Sequence, residues 1–210
     1  MPWAYRAFDT FDRADGFLGA NWTATIAGGT PNDVTVFNNR ARSLTAYPGA
    51  IWTAATFGDD QFASAEFTQD ATSVLDPGEW FGVTVRCRTD PGGEAGYLAI
   101  LFNDGSGGGH YDVRLYEQSA LTFTELGSVT VYGPGFAPTI GDTLKISAQG
   151  TTIKAYFNGV EKISVTNSYR TTGGAPGILF YGACALDNWI GGDFSPVPAN
   201  VGFMSPIGFG

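Results

Sequence analysis

The sequence predicts an all-β protein, built as a two-sheet antiparallel jelly-roll sandwich. Short segments with alternating apolar and polar residues, separated by turn residues, recur along almost the whole chain. None of these segments keeps the 3.6-residue period of an amphipathic helix over about ten residues. The 30 glycines and 11 prolines have no regular spacing and indicate many turns. Because so many strands fit poorly into one flat sheet, we expect two packed sheets.

The composition is typical of a packed globular domain. Of the 210 residues, 43% are hydrophobic and 15% are charged, which argues against disorder. The net charge of −9 repels phosphate backbones, so we expect no nucleic-acid partner. No apolar run approaches the roughly 18 residues of a membrane span. Cys87 and Cys184 are too few for a disulfide framework, and no cysteine pair has zinc-ligand spacing.

The clearest local signal is the segment 152–165. Asn158-Gly159 separates two β-rich runs and suits the positive φ angles of a tight hairpin turn. Strand alternation then turns Ile153, Ala155 and Phe157 toward one side. The full set of predicted strands is Val34–Phe37, Ser43–Tyr47, Ile51–Phe57, Phe62–Thr68, Trp80–Arg88, Gly96–Asn103, His110–Glu117, Ser128–Tyr132, Thr143–Ala148, Thr152–Phe157, Val160–Val165, Gly177–Tyr181 and Asp187–Phe194.

The last sixteen residues differ from the rest of the chain, so we divide it into a β domain over 1–194 and a C-terminal arm over 195–210. The arm has no charged side chain and contains three prolines, which disfavour a regular internal strand. We predict that it docks onto another subunit of an oligomer or larger assembly; packing back onto its own domain is the alternative. The predicted docking side chains are Phe203, Met204, Ile207 and Phe209.

Two stretches resemble the concanavalin A-like lectin/glucanase superfamily, including its LamG-like members. The first is the opening run Phe8–Gly16 with the following Leu18–Trp22, and the second is Asp142–Phe194 with its Asn158-Gly159 hairpin. This resemblance spans about 8–194 and supports a fold more than a ligand. It implies two curved sheets with adjacent terminal strands, and ligands on the concave sheet or at its rim. Some members bind structural calcium where the two ends meet.

We expect binding rather than catalysis, because neither the E-x-D-x-x-E motif of glucanases nor a G-x-S-x-G motif is present. Glu66 and Asp70 share a strand face but lie about 13 Å apart, too far for paired carboxylates in glycoside hydrolysis. A catalytic pair of carboxylates contributed by two different strands remains an alternative. His110 is the single histidine, and we expect it to have no catalytic role.

Strand alternation also predicts a binding face. If neighbouring strands pair, polar and aromatic side chains share one solvated side of a sheet, where rings cover the apolar face of a sugar and charged groups satisfy its hydroxyls. An ordinary solvated sheet with cross-strand Asp–Arg pairs is the alternative. The predicted glycan-binding residues are Arg86, Tyr97, Asp112, Arg114 and Tyr116.

Four aspartates in the two end segments form a predicted calcium site. Hard carboxylate oxygens are the ligands that Ca²⁺ prefers, and the fold would bring the two ends of the domain together. Ordinary turn chemistry is the alternative, since aspartate is favoured in turns. The predicted metal ligands are Asp12, Asp15, Asp187 and Asp193.

By analogy with phage-encoded members of this superfamily, these features predict a non-catalytic component of a bacteriophage virion, on the tail or decorating the capsid. The N-terminus shows no signal peptide, so we expect synthesis in the host cytoplasm and a final place in the virion. The expected partners are other virion subunits and a cell-surface glycan. A free carbohydrate-binding lectin and a glycan-cleaving enzyme of the glucanase type are the alternatives.

Overall fold

A computed structural model describes residues 4–25, 34–43, 46–69, 75–90, 93–105, 109–119 and 122–194. All regular secondary structure in these ranges is β-strand, arranged in two sheets, and this confirms the predicted fold class. The described part of the chain contains no helix that could cross a lipid bilayer. The predicted arm 195–210, with Phe203, Met204, Ile207 and Phe209, lies outside the described residues.

Sixteen strands follow one another in the described ranges. Their bounds are β1 Ala4–Asp9, β2 Gly16–Phe17, β3 Trp22–Thr25, β4 Val34–Val36, β5 Ala41–Ser43, β6 Ala46–Trp52, β7 Gln61–Thr68, β8 Trp80–Asp90, β9 Gly93–Asn103, β10 Tyr111–Ser119, β11 Thr122–Tyr132, β12 Thr143–Gln149, β13 Thr152–Phe157, β14 Val160–Thr166, β15 Ala175–Tyr181 and β16 Ala185–Asp193.

The strands form a nine-stranded and a seven-stranded sheet. The nine-stranded sheet has the order β14-β13-β12-β7-β16-β5-β4-β2, with β1 paired to β16, and the seven-stranded sheet has the order β11-β10-β9-β8-β15-β6-β3. The first and last strands are therefore neighbours, as expected, with Phe8 opposite Ile190. Many neighbours in each sheet are distant in sequence, as in a jelly roll.

The core lies between the two sheets and follows the predicted alternation. Phe81, Val83 and Val85 of β8 are fully buried in it, as are Ile153 and Ala155 of β13 in the other sheet. The turn between β13 and β14 has φ angles of 50° at Asn158 and 74° at Gly159, as the Asn-Gly pair predicts.

The opening segment is held by Asp9 at the end of β1. Its carboxylate accepts hydrogen bonds from the backbone N–H of Phe11 at 2.8 Å, from the Arg13 guanidinium at 2.6 Å and from the Trp22 indole at 2.8 Å. The Trp22 ring in turn packs against Trp189 of β16, with centroids 4.6 Å apart. This network joins the N-terminal motif to the last strand.

The strand predictions are wrong around residues 43–57. Instead of Ser43–Tyr47 and Ile51–Phe57, the structure has β5 and a continuous β6 that runs through Pro48. Pro48 is accommodated because a bulge with φ of 62° at Tyr47 interrupts the pairing with β15 there, and the β3 pairing begins only at Gly49. The short strands β1, β2 and β3 were not predicted, because alternation over two to six residues gives little signal.

Candidate functional site

The outer face of the seven-stranded sheet, turned away from the core, carries a second apolar cluster. Leu98, Ile100 and Phe102 of β9 alternate with core residues and therefore lie on this outer face. Leu98 is 0% exposed and Ile100 is 2% exposed, although they are on the outside of the sandwich. Aromatic side chains from neighbouring strands cover them, so this face is packed rather than simply solvated.

Two of these aromatic rings show that the face is concave. Tyr47 of β6 and Phe123 of β11 stack with centroids 5.8 Å apart and an interplanar angle of 19°. Five strand steps separate β6 from β11 in the sheet, about 24 Å at the usual spacing of neighbouring strands. A tyrosine and a phenylalanine cannot bridge that distance on a flat sheet, so the sheet curls and brings its two sides together over Leu98 and Ile100.

The curled sheet leaves a groove of about 180 Å³. This volume lies below the roughly 300–1,000 Å³ of pockets that hold drug-sized ligands. Tyr181 extends the aromatic surface by stacking on Trp80, with centroids 6.1 Å apart and an interplanar angle of 17°. The groove is lined by Tyr47, Trp80, Leu98, Ile100, Phe102, Tyr116 and Phe123.

Arg114 and Asp112 form the polar edge of the groove. The Arg114 guanidinium lies 4.1 Å from the centre of the Phe102 ring and donates to the Asp112 carboxylate at 2.8 Å. The other Asp112 oxygen accepts from the Thr130 hydroxyl at 2.8 Å. Burial opposes the charge on Arg114, but its hydrogen bonds to Asp112 and Tyr116 outweigh this effect and hold its pKa above the ordinary value. The guanidinium is therefore charged and fixed in place.

Tyr116 connects this edge to the next strand. Its hydroxyl donates to the Glu125 carboxylate of β11 at 3.2 Å. Burial raises the pKa of Tyr116, the Arg114 hydrogen bond opposes that, and the charge of Glu125 raises it further. The phenol is therefore neutral near pH 7 and can both donate and accept a hydrogen bond.

Three of the five predicted glycan-binding residues share this face, namely Asp112, Arg114 and Tyr116 of β10. The expectation that Arg86 lies with them was wrong. One extra residue in β8, between Val85 and Arg88, shifts the alternation, and Arg86 takes a φ of 55°. Its side chain is 0% exposed and donates to backbone carbonyls inside the protein.

The placement of Tyr97 on this face was also wrong. Tyr97 lies opposite Val85 on the core side of β9, and its hydroxyl donates to the Asn167 side chain at 2.8 Å. Burial raises the pKa of Tyr97. Tyr97 therefore anchors the segment after β14, and it is not available to a ligand on the concave face.

The four aspartates of the predicted calcium site do not converge. Asp187 and Asp193 lie six residues apart on β16, about 20 Å in extended chain, and the Asp193 carboxylate accepts from the Gly58 N–H at 2.8 Å. The negative charge of Asp12 raises the pKa of Asp187, so these two carboxylates are near each other. The four aspartates nevertheless form no group with metal-ligand spacing in the described ranges. The prediction of these four ligands was wrong because β1 and β16 pair along their length, and this pairing does not bring the four carboxylates together.

Within the described ranges, Asp104, His110 and Asp112 are the one group whose potential ligand atoms all lie within 4.8 Å of one another. The His110 Nε2 is 2.9 Å from Asp104 and 3.6 Å from Asp112. An imidazole with two carboxylates is a poor match for calcium, which takes oxygen ligands, and both Asp112 oxygens already accept hydrogen bonds. The contacts therefore fit an ion-pair network beside the groove better than a calcium site.

Apart from Tyr116, sequence reasoning missed the aromatic residues that line the groove. One signal was present, because Tyr97–Phe102 is a continuous apolar run, typical of a strand covered on both faces. The contributions of Tyr47 and Phe123 had no such signal, since they come from strands far apart in the sequence.

Comparisons with known proteins show which fold this chain shares with them. No protein-family model matches the chain, and no curated protein matches its sequence. Solved structures of lectin-like carbohydrate-binding modules and of glucanases share its jelly-roll fold. The carbohydrate-binding module CBM66 from Bacillus subtilis has a TM-score of 0.60 at 18% identity, over 82% of this chain and 96% of that one.

Two further structures belong to proteins of different activity. The catalytic domain of an endo-1,3-β-glucanase (laminarinase) from Thermotoga petrophila RKU-1 has a TM-score of 0.56 at 11% identity, over 92% of this chain and 99% of that one. The exoplasmic/lumenal domain of VIP36, in a form bound to Ca²⁺ and Man3GlcNAc, has a TM-score of 0.53 at 10% identity, over 84% of this chain and 85% of that one. The shared fold thus includes both lectins and glycan-cleaving enzymes.

Proposed function

We propose that this protein binds glycans without cleaving them, through the groove on the concave face of the seven-stranded sheet. The observation that carries the proposal is the combination of a ring-lined groove with the fixed Asp112–Arg114–Tyr116 edge. Aromatic faces bind the apolar C–H surface of a sugar, and charged or phenolic groups bind its hydroxyls. Similar folds in CBM66 and in the VIP36 domain support this choice of ligand.

The first experiment is a glycan array with the folded protein, followed by calorimetry on the glycans that bind. Arg114→Met keeps an apolar stem over Phe102 but removes the hydrogen-bonding fork, and we expect it to weaken binding at least about tenfold, or 1.4 kcal/mol. Phe17→Ala is the matched control, because Phe17 is exposed in β2 of the other sheet. No binding by the unaltered protein, or equal binding by Arg114→Met, would contradict the proposal.

Glycan hydrolysis is the second candidate, favoured by one pair of carboxylates. Asp104 and Asp112 offer oxygens within 4.8 Å of each other, close to the roughly 5–5.5 Å separation of carboxyl groups in retaining glycosidases. Asp112 is buried and bound by Arg114 and Thr130, which argues against a nucleophile. A reducing-sugar assay on laminarin, with the unaltered protein and Asp104→Asn, tests for hydrolysis. Turnover that disappears in the variant would establish an enzyme.

Asp70, which the sequence analysis considered as a partner of Glu66, lies outside the described residues.

A structural calcium ion and a place in a virion both stay predictions. Melting temperatures in excess CaCl₂ and in chelator test the ion, because a ligand that binds only the folded state must raise its stability. Electron microscopy of the native assembly tests the virion role, and deletion of 195–210 tests whether the arm is needed for it.

A further inference from the structure

We propose that the groove binds the end of a glycan chain, taking one neutral sugar residue, and that the stacked Tyr47 and Phe123 form a wall that excludes the interior of a polysaccharide. This inference rests on the proposed glycan-binding function and specifies which part of a glycan is bound.

The wall is a continuous set of ring contacts across the concave face. Phe123 stacks on Tyr47 at 5.8 Å and meets Trp80 and Tyr116 edge-on at 6.3 Å and 6.2 Å. These partners come from β6, β8 and β10, so Phe123 connects the two sides of the curled sheet. A polysaccharide that crossed the face would have to separate these rings and expose Leu98, which is now fully covered.

Neighbouring rings hold Tyr47 in its part of the wall. A φ of 62° is unusual for a tyrosine and persists only where the surrounding structure imposes it. Here it coincides with the β6 bulge, and the ring is packed between Phe123 and Tyr181, with the Tyr47 and Tyr181 ring centroids 4.8 Å apart. The Tyr47 ring is therefore held in the wall by its contacts with the two neighbouring rings.

Arg114 borders the groove beside Phe102. Its guanidinium covers the Phe102 ring and is tied to Asp112, which is held in turn by Thr130 of β11. The groove of about 180 Å³ between the wall and the sheet has room for a single sugar ring. A chain end can enter such a pocket, whereas a residue inside a chain needs an exit on each side.

The charges around the groove select against acidic sugars. Among the described residues, the positive charge of Arg114 is already paired with Asp112, and Glu125 adds a negative charge at the rim that has no cationic partner there. The chain as a whole has a net charge of −9. Uronic and sialic acids would meet repulsion without a free cation in the groove, so a neutral residue fits better.

The experiment compares chain lengths by calorimetry. The probes are methyl glycosides of glucose, galactose, mannose and fructose, and neutral homo-oligosaccharides of each with two to six residues. For the unaltered protein we expect the affinity per chain to stay within about twofold from dimer to hexamer. An increase of tenfold or more over that range overturns the inference but leaves glycan binding intact, whereas no binding by any probe overturns both proposals.

Two variants test the wall itself. Phe123→Ala removes the ring that connects the strands, and Tyr47→Gly removes the other ring while relieving the unusual φ. We expect either variant, once shown to be folded, to bind hexamers at least about fivefold more tightly than dimers. Phe17→Ala should behave like the unaltered protein. If both wall variants keep affinities that do not depend on length, Tyr47 and Phe123 are not the wall.

Discussion

The side chain of Gln61 in the nine-stranded sheet accepts a hydrogen bond from the backbone N–H of Arg86 in the seven-stranded sheet, at 2.8 Å. Gln61 also donates to the carbonyls of Gly58 and Gly174, so it satisfies the irregular backbone around the β8 bulge. Both side chains are 0% exposed. A polar connection between the sheets thus lies at the place where a sandwich normally has only apolar contacts.

Replacing Arg86 with methionine should destabilise the protein strongly. The guanidinium donates to the carbonyls of Asp59, Gly150 and Arg170, and all three would lose a buried partner. Removing one partner of a buried charged network costs about 3–5 kcal/mol, and we expect a loss at the lower end in urea unfolding. Arg88→Met is the matched control, because Arg88 is more exposed and its hydrogen bond to the Thr172 carbonyl should be worth about 1 kcal/mol. Equal losses for the two variants would contradict this role for Arg86.

Two tryptophans that face each other should respond differently to the same substitution. The Trp22 indole N–H donates to Asp9, whereas the Trp52 indole N–H is buried without a hydrogen-bond partner in the described part of the chain. Both rings lose the same atoms on change to phenylalanine, but only Trp22→Phe removes a hydrogen-bond donor from the buried Asp9 carboxylate, whose Oδ2 keeps the Arg13 guanidinium at 3.0 Å. We expect it to cost about 1–2 kcal/mol more than Trp52→Phe in thermal or urea unfolding. A smaller loss for Trp22→Phe would count against the Asp9 network.

Asp187→Asn should stabilise the protein at neutral pH. Burial raises the pKa of Asp187, and the charges of Asp12 and Glu66 raise it further. A carboxyl whose pKa is higher in the folded than in the unfolded state costs stability once it is charged, so the cost grows as the pH rises through the folded pKa. Because the group is partly solvated, we expect a gain of only about 0.5 kcal/mol at pH 7. The gain should vanish below pH 4; a gain that does not depend on pH would point to another cause.

The Cys184 thiol should be unreactive in the folded protein. It is completely buried, its sulfur lies 3.0 Å from the Trp80 carbonyl, and burial raises its pKa far above the ordinary value, with the charge of Glu79 adding to the effect. Reaction needs the thiolate, so labelling with a thiol reagent at pH 8 should proceed only through unfolding. Measured in a Cys87→Ala background, the labelling rate should rise with urea in parallel with the unfolded fraction. Rapid labelling of the native protein would contradict this expectation.

The sequence by itself determined the fold class, the hairpin at Asn158-Gly159 and the core-facing side of β13. These features depend on local rules: side chains alternate along a strand, and a tight turn needs residues that accept positive φ. Local alternation also placed Asp112, Arg114 and Tyr116 together, because they lie on one uninterrupted strand.

Only the tertiary structure decided where the other site residues lie. One extra residue in β8 turned Arg86 into the interior, and strand pairing left Asp187 and Asp193 at opposite ends of β16. The groove itself exists because the sheet curls until Tyr47 and Phe123 meet across five strand steps. Bulges and sheet curvature result from packing between residues that are distant in sequence. The alternation of apolar and polar residues in any one strand therefore does not predict them.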